Sequence, residues 1–211
     1  MTPEIASQKA REICQLAPIV PVLVVDDAAK AAPLAGALVR GGLPALEVTL
    51  RTPAALDAIA EMASVAGGVV GAGTLLTPED VVAAKRAGAQ FGVSPGATDR
   101  LLDACADADL PLLPGAATAT EAMRLLERGF SMLKFFPAEA SGGAPALKAI
   151  GAPIPQIDFC PTGGISPANV AQYLALANVV CAGGSWVAPK SLVDADDWNG
   201  IEALARDAAS L

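Results

Sequence analysis

The sequence predicts an α/β fold, specifically a (β/α)8 TIM barrel with an extra N-terminal helix. First, the 211-residue chain alternates eight short apolar runs with Ala- and Leu-rich segments that carry scattered charges. This is the pattern of parallel strands covered by helices on both faces. Second, glycine-containing turns follow most of these runs, where the functional rim of a barrel would lie. Third, no linker rich in Ser, Gly or Pro divides the chain, so we expect residues 1–211 to form one domain.

The candidate strands are short, and each is bounded by glycine or proline. In chain order they are Ile19–Val25, Ala45–Leu50, Val69–Ala72, Phe91–Ser94, Leu110–Leu113, Met132–Phe136, Ile157–Cys160 and Val179–Cys181. The segment before them, roughly Pro3–Leu16, is a predicted helix that could close the bottom of a barrel. The alternative is a doubly wound open sheet. Its dinucleotide-binding form is disfavoured because no G-x-G-x-x-G follows the first strand.

Three Thr-Pro or Ser-Pro pairs predict helix starts, because the hydroxyl can cap the helix and proline suits its first position. They begin at Thr52, Thr77 and Ser166. Asp80 stands three residues after Thr77, which predicts an acidic variant of the capping box at that helix.

Composition excludes several classes of protein and site. Hydrophobic residues make up 53% and charged residues 17% of the chain, which argues against disorder. The net charge of −8 argues against a nucleic-acid binder, and no apolar run is long enough to cross a membrane. Four cysteines without a CxxC motif and no signal peptide predict reduced thiols in a cytoplasmic protein. The absence of histidine removes Ser-His-Asp catalysis, Cys-His catalysis and HExxH zinc sites.

Lys134 is the first candidate for chemistry, because it interrupts an otherwise apolar strand in the run SMLKFFP. Alternation places Met132, Lys134 and Phe136 on one face, so the lysine points into the barrel if Leu133 and Phe135 pack under helices. Desolvation favours the neutral amine, which attacks carbonyl groups and forms Schiff bases. A structural lysine paired with a carboxylate fits the same pattern, so both interpretations remain open here.

Glu47 and Arg51 are the second candidate pair. In a helix their spacing would give a surface salt bridge, but the β-branched Val48 and Thr49 favour a strand that places Glu47, Thr49 and Arg51 on one face. Polar groups inside a barrel are costly without partners, so a wet functional cavity is expected. Glu47 would then move protons and Arg51 would bind a carboxylate. A buried structural ion pair is the alternative.

Two Gly-Gly pairs follow the last two candidate strands, Gly163-Gly164 and Gly183-Gly184. In (β/α)8 barrels the loops at these positions often bind phosphate. Peptide N–H groups and a helix N-terminus can hold the anion without a basic side chain. The two pairs together therefore predict a phosphate site.

Six motifs stand in chain order along nearly the whole sequence. They are LEVTLRT (Leu46–Thr52), GAGT (Gly71–Thr74), SPG (Ser94–Gly96), KFFPAE (Lys134–Glu139), CPTGGISPAN (Cys160–Asn169) and GGSW (Gly183–Trp186). Together they resemble the 2-keto-3-deoxy-6-phosphogluconate (KDPG) aldolases, a family that includes 4-hydroxy-2-oxoglutarate aldolases. The resemblance implies a metal-free, cofactor-free class I aldolase on a (β/α)8 barrel, assembled as a homotrimer. One segment, Pro114–Thr118, is more apolar than is usual in this family, so no substrate contact is carried over to it.

The resemblance also implies a role for each motif residue. Lys134 would form the Schiff base and Glu47 would be the general acid and base. The remaining residues would bind substrate: Arg51 and Thr74 the pyruvate carboxylate, Pro95 and Phe136 the pocket walls, Thr162 the substrate hydroxyls, and Gly163, Gly164, Gly184 and Ser185 the phosphate.

The implied reaction is cleavage of KDPG to pyruvate and glyceraldehyde 3-phosphate in sugar-acid catabolism of the Entner-Doudoroff type. A second implied substrate is 4-hydroxy-2-oxoglutarate. The alternatives are an aldolase of the same family that prefers 2-keto-3-deoxy-6-phosphogalactonate, a phosphate-binding barrel isomerase or synthase, and a non-catalytic binder. The expected partners are small molecules, with no nucleic acid and no membrane.

Overall fold

A computed structural model describes all residues, 1–211, as an α/β fold built on a curled parallel sheet. The strands are β1 Ile19–Leu23, β2 Ala45–Thr49, β3 Val69–Gly73, β4 Phe91–Val93, β5 Leu112–Leu113, β6 Gly115–Ala116, β7 Met132–Phe135, β8 Asp158–Pro161 and β9 Ala182–Gly184. The helices are α1 Pro3–Cys14, α2 Ala31–Arg40, α3 Ala55–Ala63, α4 Pro78–Arg86, α5 Asp99–Asp107, α6 Ala119–Glu127, α7 Gly143–Gly151, α8 Val170–Leu174, α9 Lys190–Asp194 and α10 Trp198–Ala209. A short 3-10 helix, Ala28–Lys30, precedes α2.

All strand pairs are parallel, and they fall into two groups. Six strands pair in the order β5-β4-β3-β2-β1-β9, and three pair in the order β6-β7-β8. The two groups approach each other at both ends. Strands β5 and β6 are separated only by Pro114, and the isolated bridges Phe159–Val179 and Thr162–Gly183 connect β8 with the β9 segment.

Seven of the eight predicted strands overlap a strand of the structure. The predicted strand Val179–Cys181 is wrong, because the last strand is Ala182–Gly184. Its register is set by β1, where Ile19 lies opposite Ala182, so the more apolar Val179 makes only one bridge. The predicted strand Leu110–Leu113 is shortened at its start, and pairing resumes after Pro114, which has no N–H to donate.

A layer of ten apolar residues fills the space on the inner face of the strands. Its members are Ala10, Cys14, Val20, Ala45, Phe91, Val93, Leu113, Met132, Cys160 and Cys181. Residues of opposite parity, such as Leu46 and Leu133, belong to the larger cluster packed against the helices. A Cβ on Gly71 would lie 2.5 Å from the Phe91 ring, so the ring occupies the space left by the missing side chain of this glycine. The inner layer forms an apolar floor below the carboxyl ends of the strands.

Helix α1 is fixed to the beginnings of β7 and β8. The Ser7 hydroxyl accepts hydrogen bonds from the N–H groups of Ser131 and Met132, both at 2.9 Å. Arg11 forms an ion pair with Asp158 and donates to the Ser131 carbonyl. Since α1 also contributes Ala10 and Cys14 to the inner layer, it anchors the strand that carries Lys134.

One of the three predicted helix starts is confirmed. Thr77 and Asp80 form a reciprocal capping box at α4. Thr52 is not a cap, because its hydroxyl donates to the Val25 carbonyl and α3 begins only at Ala55. Ser166 is also not a cap, because α8 begins four residues later. None of the helices combines the length and the apolar character that crossing a bilayer requires.

Burial predicts that the cysteines are unreactive in the folded protein. Cys14, Cys105, Cys160 and Cys181 are all buried free thiols, and burial raises the pKa of Cys105 to about 12. We expect a maleimide at pH 7 to label none of them within minutes in native protein and all four after denaturation, measured by intact mass. Rapid stoichiometric labelling of native protein would contradict this packing.

Candidate active site

A cavity of about 190 Å³ opens at the carboxyl ends of the strands. Ten of the eleven predicted site residues line it: Glu47, Arg51, Thr74, Pro95, Lys134, Phe136, Thr162, Gly163, Gly164 and Ser185. The eleventh, Gly184, lies on β9 outside the lining, and its neighbour Gly183 takes the lining position. The structure therefore brings the predicted residues together from six different strand ends.

The cavity floor carries a buried ion pair between β7 and β2. Lys134 Nζ lies 3.2 Å from Glu47 Oε1, and only 7% and 3% of the two side chains are exposed. Lys134 Nζ also lies 5.3 Å from the centroid of the Phe136 ring, close enough for a cation–π contact. An ammonium and a carboxylate held this close in a desolvated site can exchange a proton directly.

Glu47 can occupy this position because Gly73 lacks a side chain. A Cβ on Gly73 would lie 2.3 Å from Glu47 Oε1 and 2.7 Å from its Cγ. Gly73 is opposite Thr49 in the β2–β3 pairing. The glycine of the GAGT motif therefore leaves space for a side chain of the neighbouring strand β2.

Arg51 and Thr74 stand at the mouth of the cavity. The exposed Arg51 guanidinium makes no ion pair or side-chain hydrogen bond in the protein, which leaves it available for an anionic ligand. Thr74 has a φ of +62°, an unusual conformation for a β-branched residue. Such backbone strain is concentrated at functional sites.

The loop after β8 presents three consecutive peptide N–H groups to the cavity. Gly163 and Gly164 have φ angles of +99° and +79°, which favour glycine. The N–H groups of Gly163, Gly164 and Ile165 donate to no acceptor in the protein, and all three residues line the cavity. Successive free N–H groups of this kind form anion-binding concavities. The predicted helix N-terminus does not contribute, because α8 begins only at Val170.

A group of thiols lies below the loop. Cys160 Sγ is 3.9 Å from Thr162 Oγ1, and Cys160 is opposite Lys134 in the β7–β8 pairing. Cys14, Cys160 and Cys181 are buried together in the apolar layer, so the three thiols form part of the cavity floor. No cluster of His, Cys, Asp or Glu has the arrangement that a metal ion needs.

Residues 10–204 match the family model described as KDPG and KHG aldolase. The chain belongs to this family. A relative from Escherichia coli strain K12, named KHG/KDPG aldolase, is 50% identical over 94% of this chain and 94% of its own length. Here KHG denotes 4-hydroxy-2-oxoglutarate.

Solved structures of KDPG aldolases superimpose closely on nearly the whole chain. The enzyme of Zymomonas mobilis ZM4 with 3-phosphoglycerate is 47% identical, with a TM-score of 0.92 and 96% coverage of both chains. The enzyme of Legionella pneumophila, with pyruvate captured as a covalent carbinolamine intermediate, is 42% identical, with a TM-score of 0.91. That match covers 94% of this chain and 97% of the Legionella chain.

Four lining residues of this KDPG/KHG aldolase family member had no predicted role of their own, although Gly183 belongs to a predicted Gly-Gly pair: Val22, Thr49, Ile165 and Gly183. Thr49 had a sequence signal, because it shares the inner face with Glu47, but its hydroxyl is occupied by a 2.8 Å hydrogen bond to the Leu23 carbonyl. The signal for Val22 was weaker, because only the alternation of side chains along β1 indicates which face of the strand it occupies. Gly183 takes the place expected of Gly184, because a Cβ on Gly184 would lie 2.0 Å from the Trp186 ring rather than in the cavity.

The room that Gly73 provides for Glu47 gives a prediction. We expect Gly73→Ala to displace Glu47 from Lys134 and to lower kcat on an aldol substrate by about 10²-fold, since misplacement by about 1 Å costs that much. The matched control is Gly96→Ala on the same rim, because a Cβ there would have no neighbour within 4 Å. Steady-state kinetics and thermal unfolding of both variants are the measurements. Full activity of folded Gly73→Ala would contradict the proposed steric role.

Proposed function

We propose that the chain is a class I aldolase that cleaves KDPG to pyruvate and glyceraldehyde 3-phosphate. The observation that carries the proposal is the buried contact of Lys134 with Glu47 at 3.2 Å, on the floor of a cavity that also presents Arg51 and free peptide N–H groups. A Schiff-base aldolase needs an amine nucleophile, a proton carrier and two anion sites, and this cavity offers all of them.

The first half of the reaction uses the ion pair as a proton exchanger. Glu47 accepts a proton from Lys134, and the neutral amine attacks C2 of the keto acid to give a carbinolamine. Protonated Glu47 then donates to the departing hydroxyl, and water leaves as the C=N⁺ bond forms. Because the amine and carboxylate are held together from the start, no histidine is required.

The second half breaks the C3–C4 bond. Glu47 takes the proton of the C4 hydroxyl, directly or through water, and the C3–C4 electron pair moves into the iminium to form an enamine. Glyceraldehyde 3-phosphate leaves, C3 of the enamine is protonated, and hydrolysis releases pyruvate and the Lys134 amine.

The two ends of the substrate are assigned to opposite sides of the cavity. Arg51 and Thr74 bind the pyruvate carboxylate, which suits the unpaired guanidinium. The N–H groups of Gly163, Gly164, Ile165 and Ser185 bind the phosphate, and Thr162 contacts the substrate hydroxyls. Pro95 and Phe136 shape the wall, and Gly184 supports the Ser185 loop by admitting the Trp186 ring.

The anion loop also supports a second substrate. The distal carboxylate of 4-hydroxy-2-oxoglutarate can accept from the same N–H groups, so we propose weaker turnover of this substrate alongside KDPG. The three-oxygen acceptor geometry of phosphate uses more of the free donors, which is why the phosphorylated substrate is preferred.

For the whole molecule we propose a single catalytic domain over residues 1–211, a closed (β/α)8 barrel with α1 across its bottom, and a cytoplasmic homotrimer. Closure is supported by the two isolated bridges and by the short interruption at Pro114. The four free cysteines support the assignment of the protein to a reducing compartment. Val24 after β1, Leu76 after β3 and Leu56 at the start of α3 are exposed apolar side chains, and they support a subunit interface.

Replacement of the lysine separates the aldolase from its alternatives. We expect Lys134→Met to reduce kcat on KDPG by roughly 10³-fold or more, because no other amine reaches the cavity. Lys148→Met, on the exposed face of α7, is the matched control and should keep wild-type turnover. The assay measures pyruvate release. A barrel isomerase or synthase would retain most of its turnover in Lys134→Met, and a non-catalytic binder would release no pyruvate even as wild type.

Replacement of the proton carrier gives a second prediction. Glu47→Gln keeps the shape of the side chain but cannot accept a proton, so we expect kcat to fall by about 10²–10⁴-fold with a small change in KM. The measurement is steady-state cleavage of KDPG. A Glu47→Gln enzyme with wild-type kcat would exclude Glu47 as the general acid and base.

A further inference from the structure

The three free N–H groups of the loop after β8 point into the cavity because the carbonyl groups before them are held from outside. In a trans peptide the C=O and the following N–H point in opposite directions. Anchoring the carbonyls of Thr162, Gly163 and Gly164 therefore aims the N–H groups of Gly163, Gly164 and Ile165 the other way. Each of the three carbonyls accepts a hydrogen bond from a different donor.

Two anchors are backbone groups of the segment after β7. The Ala138 N–H donates to the Thr162 carbonyl at 2.8 Å, and the Glu139 N–H donates to the Gly163 carbonyl at 3.1 Å. The third anchor is a side chain, because Asn169 Nδ2 donates to the Gly164 carbonyl at 3.0 Å. Asn169 Oδ1 accepts from the Ser166 N–H at 2.8 Å, which fixes the orientation of the amide.

Glu139 is itself held from α8. Its carboxylate accepts a hydrogen bond from the hydroxyl of Tyr173, a residue that is only 1% exposed. Burial and the neighbouring carboxylate raise the pKa of Tyr173, so its hydroxyl remains a donor at physiological pH. A Cβ on Gly164 would lie 2.7 Å from Glu139 Cβ, so the glutamate side chain packs directly against the loop.

We propose that Asn169 and the Glu139–Tyr173 pair are positioning residues for the phosphate end of the substrate. They hold the peptide units of the loop after β8 so that three N–H groups face the anion, and none of them contacts the reacting carbons. This inference rests on the proposed function, because it assigns the phosphate to that loop. Its consequence is a selective effect on phosphorylated substrates.

The test compares KDPG with its unphosphorylated counterpart, 2-keto-3-deoxygluconate. We expect Asn169→Ala to lower the ratio of kcat/KM for the two substrates by about tenfold, mainly through KM for KDPG, because releasing the Gly164 carbonyl turns the Ile165 N–H away from the phosphate and loses about one hydrogen bond to a charged group. Tyr173→Phe, which removes one hydroxyl, should lower the same ratio by about threefold. Tyr173→Phe also provides a readout if Asn169→Ala does not fold.

Gln172→Ala is the matched control, because Gln172 is exposed on α8 and its side chain makes no hydrogen bond to the loop. Its ratio should equal that of the wild type. Equal losses on both substrates, or an unchanged ratio in folded Asn169→Ala and Tyr173→Phe, would overturn the positioning role. If the wild type does not discriminate between the two substrates, the loop after β8 is not a phosphate subsite. A wild type that releases pyruvate from neither would instead refute the aldolase function.

Discussion

The contact between Lys134 and Glu47 is the interaction on which the rest of the site depends. Burying two opposite charges is costly unless they pair closely, and here they lie 3.2 Å apart on facing strands. Gly73 makes room for the carboxylate, and the inner apolar layer excludes water from below. In the proposed mechanism no histidine is needed, because the amine is the nucleophile and the carboxylate carries the protons.

Most of the architecture could be predicted from the sequence, because strands covered on both faces leave short apolar runs between glycines and prolines. The strand that carries Lys134 is identified by this pattern of apolar residues. The errors have a common physical cause, which is that pairing overrides local composition. Val179 and Val180 have higher β propensity than Ala182 and Gly183, yet the register with β1 selects the latter as β9. Thr52 similarly forms a tertiary hydrogen bond to Val25 instead of a cap.

The place of Lys134 and Glu47 in the cavity could also be predicted, since a charged residue on the inner face of an apolar strand has few structural explanations. The hydrogen bonds that we propose orient the loop after β8 could not be predicted from the sequence. Tyr173 reaches Glu139 across 34 positions of sequence, and Asn169 holds a carbonyl whose direction no sequence pattern reveals. The net charge of −8 was likewise uninformative about small anions, because peptide N–H groups and one unpaired Arg51 create local positive potential in an acidic protein.

In the proposed reaction the Lys134 amine becomes a covalent nucleophile for a keto acid. The decisive experiment is incubation of the folded protein with pyruvate and borohydride, followed by intact mass measurement and peptide mapping. We expect one reduced pyruvyl group per chain, located on Lys134 and absent from Lys134→Met. An unchanged mass of the folded wild type, or an adduct on another lysine, would contradict it.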